Sequence, residues 1–206
     1  PLVTVAAVFQ RDPAALIAHA DVKTLADLKT RTLLIGQTSE TTFWPWLKKA
    51  YGFRDEQKRP YAFSVQPFLV DRNVAQQGLV TSEPYAIEKA GIKPKIFLLA
   101  DAGYPPYAET IVATGKTLQQ KPDVVRRFVL ATAEGWQHYL ENPSAGNALI
   151  RRDNPQIETG LLDYGSAKMR AYELVTGGDA KSLGLLTMTD ARWQKTRDCR
   201  PSSGSS

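Results

Sequence analysis

Two strand-to-helix junctions constrain the fold of this 206-residue chain more than any other feature. In the first, apolar residues 33–35 lead into the polar segment 36–42 and then into a helical pattern. In the second, residues 79–82 lead into residues 83–85 at the start of another helical pattern. Ligands of α/β sheets bind at the carboxyl ends of strands, where helix N-termini offer free N–H groups. The two junctions therefore predict a small-molecule pocket in an α/β fold.

Strand and helix patterns alternate between residues 24 and 107, which favours an α/β unit with a mainly parallel sheet. The predicted strands cover residues 32–36, 61–65, 79–82 and 96–100, and the predicted helices cover a short segment from Thr24 and residues 43–51, 71–77 and 84–90. Two further strands are predicted at residues 3–9 and 108–114. After Gly115 the pattern is almost purely helical, with breaks at Asn142-Pro143 and Asn154-Pro155.

This order of elements predicts a two-lobed clamshell with one complete and one partial lobe. Residues 1–14 are interpreted as a strand that crosses from partial lobe I, and residues 15–107 as lobe II. Residues 108–198 are interpreted as the return strand and the helical remainder of lobe I, and residues 199–206 as a flexible tail. We also expect the natural protein to carry a further part of lobe I before Pro1.

Composition narrows the classes of partner and cofactor. The net charge is +5, but the basic residues are scattered in runs of at most two, so we expect no nucleic-acid partner. Cys199 is the single cysteine of the sequence, which excludes an internal disulfide and argues against a zinc cluster. From this residue content we expect no metal and no cofactor. The sequence also has no segment with the roughly 20 apolar residues of a membrane-spanning helix.

The sequence lacks the patterns of common catalytic sites, and we expect no enzyme. Its two histidines, His19 and His138, do not support a Ser-His-Asp arrangement. Gly177-Gly178 lacks the Lys-Ser/Thr pair and the preceding strand of a phosphate-binding loop.

Seven short motifs carry a family resemblance that covers nearly all of residues 3–195. They read VFQRDP at 8–13, TLADLK at 24–29, LLIG at 33–36, SEPY at 82–85, PDVVRRF at 122–128, GW at 135–136 and MTDARW at 188–193. In this order and spacing they resemble the NMT1/THI5-like group of ABC-transporter solute-binding proteins. The resemblance implies a periplasmic-binding-protein fold of the type II kind. It also implies binding of a small solute, as in the group's binders of thiamine-pyrimidine precursors and alkanesulfonates.

By this resemblance, the pocket wall of lobe II maps onto two segments of the chain. One is the loop with Thr38, Ser39, Thr41 and Thr42, and the other is Glu83 with its neighbour Tyr85. Both segments have an alternative reading, because hydroxyl and acidic residues also cap helix N-termini.

Glu83 suits the binding role because a carboxylate accepts two charge-assisted N–H bonds, as an amino-pyrimidine would offer.

Three further residues are weaker candidates for ligand contact. Trp44 falls off the apolar stripe of its predicted helix, so it either stacks on a planar ligand or packs in the core. Gln10 and Arg11 lie where the first crossing strand leaves lobe I, and Arg11 would meet an anionic solute or form a surface ion pair.

The resemblance implies the solute-binding component of an ABC importer, which is exported to the periplasm and delivers its solute to a membrane permease. The solute is expected to be pyrimidine-like or an anionic organic molecule. Two alternatives remain open. One is the ligand-sensing effector domain of a bacterial transcription regulator, and the other is an enzyme similar to thiamine-pyrimidine synthase. The single cysteine disfavours the enzyme, since that branch relies on a cysteine-rich motif.

Overall fold

The computed structural model describes residues 1–199 as a mixed α/β protein, as the sequence predicts. The predicted tail at residues 199–206 lies outside the described residues except for Cys199. The chain divides into two compact units. Unit 1 comprises Pro1–Asp12 and Pro106–Trp193, and unit 2 comprises Pro13–Pro105 and the segment from Gln194. This architecture is consistent with a periplasmic-binding-protein-like fold.

The strands are β1 Leu2–Phe9, β2 Ala14–Ala18, β3 Thr32–Ile35, β4 Lys58–Pro60, β5 Val74–Leu79, β6 Lys95–Leu98 and β7 Ala108–Thr114. The α-helices are α1 Phe43–Tyr51, α2 Gln66–Val70, α3 Glu83–Lys89, α4 Gly115–Gln120, α5 Pro122–Glu141, α6 Ser144–Asp153, α7 Thr159–Ala171, α8 Ala180–Leu183 and α9 Asp190–Cys199. Short 3-10 helices cover Leu25–Thr30, Gln37–Glu40 and Asp55–Gln57. None of the described helices is long and apolar enough to cross a membrane.

Unit 1 is built on an antiparallel pair of strands with helices that follow it. β1 pairs with β7 from Leu2 opposite Thr114 to Phe9 opposite Ala108. The sequence predicted both strands because β-branched residues, which favour strands, are frequent in them. The long helix α5 ends before Pro143, as predicted, and its Trp136 ring contacts the Phe9 ring edge-on at 5.7 Å.

Unit 2 contains a five-stranded sheet in the order β4-β3-β5-β2-β6. β4, β3, β5 and β6 run in one direction, but only two of the four strand pairs are parallel, so the sheet is mixed and less parallel than the sequence predicts. β2 runs in the opposite direction between β5 and β6, and the sequence pattern did not reveal it. All five of its residues are buried, which places β2 in the core of unit 2.

The prediction of a helix over residues 71–77 is wrong. Residues 71–73 form the whole loop after α2, and β5 begins at Val74. Its Ala and Gln residues favour a helix by local propensity. Pairing with β3 on one side and β2 on the other outweighs that preference, because it buries Val74, Ala75 and Gln76. As a consequence, the predicted strand at 79–82 is displaced, and β5 ends at Leu79.

Two apolar clusters in unit 2 hold helices against the sheet. The larger cluster joins Leu16 and Leu33 to Trp44 and Leu47 of α1. The smaller cluster is composed of Ile17, Leu34, Tyr61, Phe68, Val74 and Ile87. Helix α1 ends where Gly52 adopts the left-handed conformation, with φ at 70°, as its sequence position predicts.

Replacement of Gly135 by alanine should stabilise the protein. Gly135 lies inside helix α5, and a Cβ built there meets no atom within 4 Å. Alanine in an exposed helix interior is favoured over glycine by about 1 kcal/mol. Thermal unfolding of Gly135→Ala should therefore show a higher Tm than wild type, and a lower Tm would contradict the described course of α5.

Candidate functional site

Polar side chains meet at the carboxyl ends of the parallel strands β4 and β5 in unit 2. We call Tyr61, Gln76 and Glu83 the strand-end cluster. Tyr61 Oη donates a hydrogen bond to Glu83 Oε1 at 3.1 Å, and Gln76 Nε2 lies 3.5 Å from Tyr61 Oη. The backbone N–H of Leu79 donates to Glu83 Oε2 at 2.8 Å. The cluster therefore lies at the edge of the sheet where α/β proteins bind ligands.

The electrostatics of the cluster keep Tyr61 protonated. Burial raises the pKa of the Tyr61 hydroxyl well above its usual range, and the neighbouring Glu83 carboxylate raises this pKa further. Tyr61 therefore remains a hydrogen-bond donor throughout the physiological range. It orients the carboxylate of Glu83, whose side chain is partly exposed.

Gln76 contributes a buried acceptor to the same cluster. Its side chain is fully buried, and its Oε1 atom has no hydrogen-bond partner among residues 1–199. A buried polar atom without a partner costs stability and is uncommon in folded proteins. This edge of the sheet therefore retains a buried polar side chain, although its unpaired acceptor costs stability.

Two glycines allow side chains to lie close to the sheet edge. A Cβ at Gly78 would lie 2.6 Å from Ile17 Cδ1 and 3.0 Å from the carboxyl carbon of Glu83. The backbone N–H of Gly36, directly after β3, donates to Gln77 Oε1 at 2.5 Å. The side chain of Gln77 is half-buried at this edge. Gln77 and Tyr61 belong to the site geometry, and sequence reasoning missed both.

Glu83 lies at the junction between β5 and α3, and its role in ligand contact stays a prediction. It is the first residue of α3, and its carboxylate accepts the N–H of Leu79 just before that helix. Each of its oxygens carries one protein hydrogen bond, which leaves further acceptor capacity on both. Tyr85, two residues further along α3, is half-buried, and Lys89 Nζ lies 5.5 Å from its ring centre.

The loop before α1 forms a compact turn. The hydroxyls of Thr41 and Thr42 both donate to the carbonyl oxygen of Thr38, at 3.2 and 3.3 Å. Thr38, Thr41 and Thr42 are exposed, whereas Ser39 is buried. Thr42 is the N-cap of α1, but its side chain makes no capping hydrogen bond. The hydroxyls are thus brought together by Thr38 and not by the helix terminus.

Trp44 lies in the core of unit 2. Its side chain is 2% exposed, and its ring lies 6.1 Å from the Phe53 ring. Its indole N–H donates to Asp55 Oδ1 at 2.7 Å. The structure therefore places Trp44 in the packing role, the second of its two sequence readings, and leaves almost no ring surface for a solute.

Gln10 and Arg11 lie in unit 1. Gln10 is fully buried, and its Nε2 donates to the carbonyl oxygens of Thr187 at 2.8 Å and Ala7 at 3.1 Å. Arg11 Nη1 donates to the carbonyl oxygen of Tyr172 at 2.7 Å. Both side chains thus hold backbone segments of unit 1.

Each unit also has an open surface cleft, and neither is lined by residues of the strand-end cluster. The cleft of unit 1 measures about 490 Å³ and is lined by residues that include Gln137, Leu140 and Arg170. The cleft of unit 2 measures about 470 Å³ and is lined by residues that include Trp46 and Lys49. We place the candidate site at the strand-end cluster and not at these clefts, because its polar side chains lie at the carboxyl ends of the strands, where α/β proteins bind ligands. Residues 1–199 contain no group of three or more His, Cys, Asp or Glu side chains placed to hold a metal ion.

Replacement of Gly78 by alanine should disturb the strand-end cluster. The added Cβ would collide with Ile17 and press on the Glu83 carboxyl group. Overpacking of this kind costs roughly 1–3 kcal/mol in the free energy of unfolding, which denaturant titration measures. Gly36→Ala is the matched control, because its new Cβ would meet only the flexible amide of Gln77, at 3.0 Å. Equal losses in both variants would contradict the described packing of Glu83.

The Asp55 carboxylate should give the stability of unit 2 a distinct acid dependence. A hydrogen bond from Lys48 and a second from Trp44 lower the pKa of Asp55. A lowered pKa contributes stability above the unfolded value of about 3.9, and this contribution is lost as the pH falls through the folded pKa. The stability difference between wild type and Asp55→Asn should therefore shrink as the pH falls below about 4. Denaturant titration from pH 7 to pH 2.5 measures it, and a pH-independent difference would contradict the two bonds.

Comparison with known proteins identifies the family. A sequence model described as NMT1/THI5-like matches residues 1–146. The chain is also 25% identical over 169 residues to a riboflavin-binding protein, RibY, from Chloroflexus aurantiacus. That match covers 79% of this chain and 48% of the relative, so the chain spans about half the length of the relative. With most of its length matched by the family, the chain belongs to the NMT1/THI5-like family of proteins.

Proposed function

We propose that this chain is part of a solute-binding protein that captures a small molecule and delivers it to the membrane permease of an ABC importer. Membership of the NMT1/THI5-like family carries the proposal. The relative's name as a riboflavin-binding protein supports a binding role. The proposal includes export to the periplasm, where such proteins meet their permeases.

The proposed solute is a planar nitrogen heterocycle that offers N–H donors. Glu83 supports this class because its carboxylate has remaining acceptor capacity and is oriented by Tyr61. The relative supports it as well, since riboflavin contains a fused pyrimidine-dione ring. An anionic solute, which Arg11 would meet, is the alternative class, and Arg11 Nη1 also donates to the carbonyl oxygen of Tyr172. Thr38, Ser39, Thr41, Thr42 and Tyr85 remain proposed secondary contacts.

The proposed mechanism is capture without chemistry. The solute binds one conformation more tightly than another and shifts the population towards it, and the permease recognises the favoured state. No bond is made or broken. In unit 2 the ligand contacts would come from the strand-end cluster, where bonds from Tyr61 and Leu79 hold the Glu83 carboxylate and so lower the entropic cost of capture.

A thermal-shift screen of the full-length protein tests the proposed function. The panel contains riboflavin, amino-pyrimidines, thiamine precursors, alkanesulfonates and aromatic acids. A ligand that binds the native state raises the Tm, and the stabilisation grows with the logarithm of the ratio of ligand concentration to Kd. We expect a dose-dependent rise with a heterocycle. A folded protein that responds to none of these solutes would contradict the proposal.

Glu83→Gln should separate the two solute classes. An amide in place of the carboxylate loses the charge-assisted bonds, so affinity for an amino-pyrimidine should fall roughly tenfold or more, while a sulfonate should be nearly unaffected. Isothermal titration calorimetry measures both. Glu88→Gln is the matched control, since Glu88 lies on the same helix and is exposed. An equal loss for both solutes, or no loss for either, would remove Glu83 from the proposed role.

A further inference from the structure

The chain passes between the two units at three points, after Asp12, after Pro105 and after Trp193. Arg192 lies one residue before the third point, on α9. Its contacts within unit 1 connect it to the chain at the other two points as well.

One nitrogen of Arg192 bonds to two of the connecting segments. Arg192 Nη2 donates to the carbonyl oxygen of Gln10, which lies two residues before Asp12. The same nitrogen donates to the carbonyl oxygen of Pro106 at 3.3 Å, directly after the second crossing point. A single guanidinium group therefore holds the unit 1 ends of all three connections together.

The guanidinium group is itself held by an aromatic ring and a carboxylate. Its carbon lies 4.1 Å from the centre of the Tyr107 ring, in a cation–π contact. Nη1 lies 3.8 Å from Asp179 Oδ2, and the side chain is 15% exposed. A Cβ at Gly178 would lie only 2.8 Å from Nη1, so this glycine leaves room for the group. Partial removal from water makes each of these polar contacts stronger than it would be on the surface.

Hydrogen bonds behind Arg192 hold its partners in place. Tyr107 Oη donates to Asp179 Oδ2, and it accepts the backbone N–H of Thr189 at 3.0 Å. The Thr189 hydroxyl donates to the same Asp179 oxygen at 3.2 Å. The start of β7 and the start of α9 are thus also joined through Tyr107, Asp179 and Thr189.

We infer that Arg192 is a positioning residue that fastens the three connecting segments into one rigid body on the unit 1 side. This inference rests on the proposed function, because solute capture needs a defined place for conformational change. Because Arg192 holds the unit 1 ends of the three connecting segments together, we expect the conformational change to occur in the residues that follow these ends and not within unit 1.

Hydrogen exchange on the free full-length protein tests the inference without any solute. The probes are the amides of Gln10 and Arg11, which donate to the Leu174 carbonyl, those at the start of β7, and that of Trp193, which donates to the Thr189 carbonyl. In Arg192→Met all three groups should exchange roughly tenfold faster or more. Local opening in wild type must break the charge-assisted bonds of Arg192, and in the variant these bonds are absent. The amides of β3 should keep their wild-type rates.

Two further variants keep the test decisive if Arg192→Met fails to fold. Arg192→Lys keeps the charge but lacks the planar fork of donors, and Tyr107→Phe keeps the ring but loses the hydroxyl. Both should speed exchange in the three groups by a smaller factor. Arg170→Met is the matched control, since Arg170 Nη1 donates to the Leu140 carbonyl at 3.2 Å, away from the connections.

Faster exchange in all three groups, absent from the Arg170→Met control, supports the inference. Faster exchange confined to α9, or unchanged exchange in every variant, overturns it. Failure of the solute screen would contradict the proposed function alone, because the exchange experiment contains no solute.

Discussion

The antiparallel strand β2 supports the sheet of unit 2 and, through it, the candidate site. It lies between β5 and β6, and all five of its residues are buried. Leu16 packs in one apolar cluster and Ile17 in the other, so the strand joins the two cores. Ile17 also lies against Gly78, which fixes the end of β5 beneath the Glu83 carboxyl group. The geometry of the strand-end cluster thus depends on this one pairing.

The sequence predicted elements whose ends are set by local chemistry. Helix α1 ends at Gly52 because glycine readily adopts the left-handed conformation that closes a helix. Helix α5 ends before Pro143 because proline has no backbone N–H to continue the helix. Strands β2 and β5 escaped prediction for the opposite reason. A run such as Ala14–Ala18 fits a helix as well as a strand, and only pairing with distant strands decides between them. Long-range pairing likewise turned the predicted helix at 71–77 into β5.

The same distinction governs the candidate site. Glu83 was found because an acidic residue at a strand-to-helix junction is visible in the sequence. Tyr61 and Gln76 were missed because their contacts join residues 15 to 22 positions apart, and no local pattern reports such contacts. Trp44 drew attention by its position off the helical stripe, but the bond from its indole N–H to Asp55 explains that position by packing. Family membership supports the proposed class of function, while contacts of this kind guide the proposal of which residues serve it.

A crystal structure of the full-length protein with a stabilising heterocycle bound tests the account most directly. The account predicts a ring N–H of the solute within hydrogen-bond distance of the Glu83 carboxylate, with the Tyr61 hydrogen bond retained. A solute that lies only in the unit 1 cleft beside Gln137 and Arg170, with Glu83 bonded to Tyr61 and Leu79 alone, would contradict it.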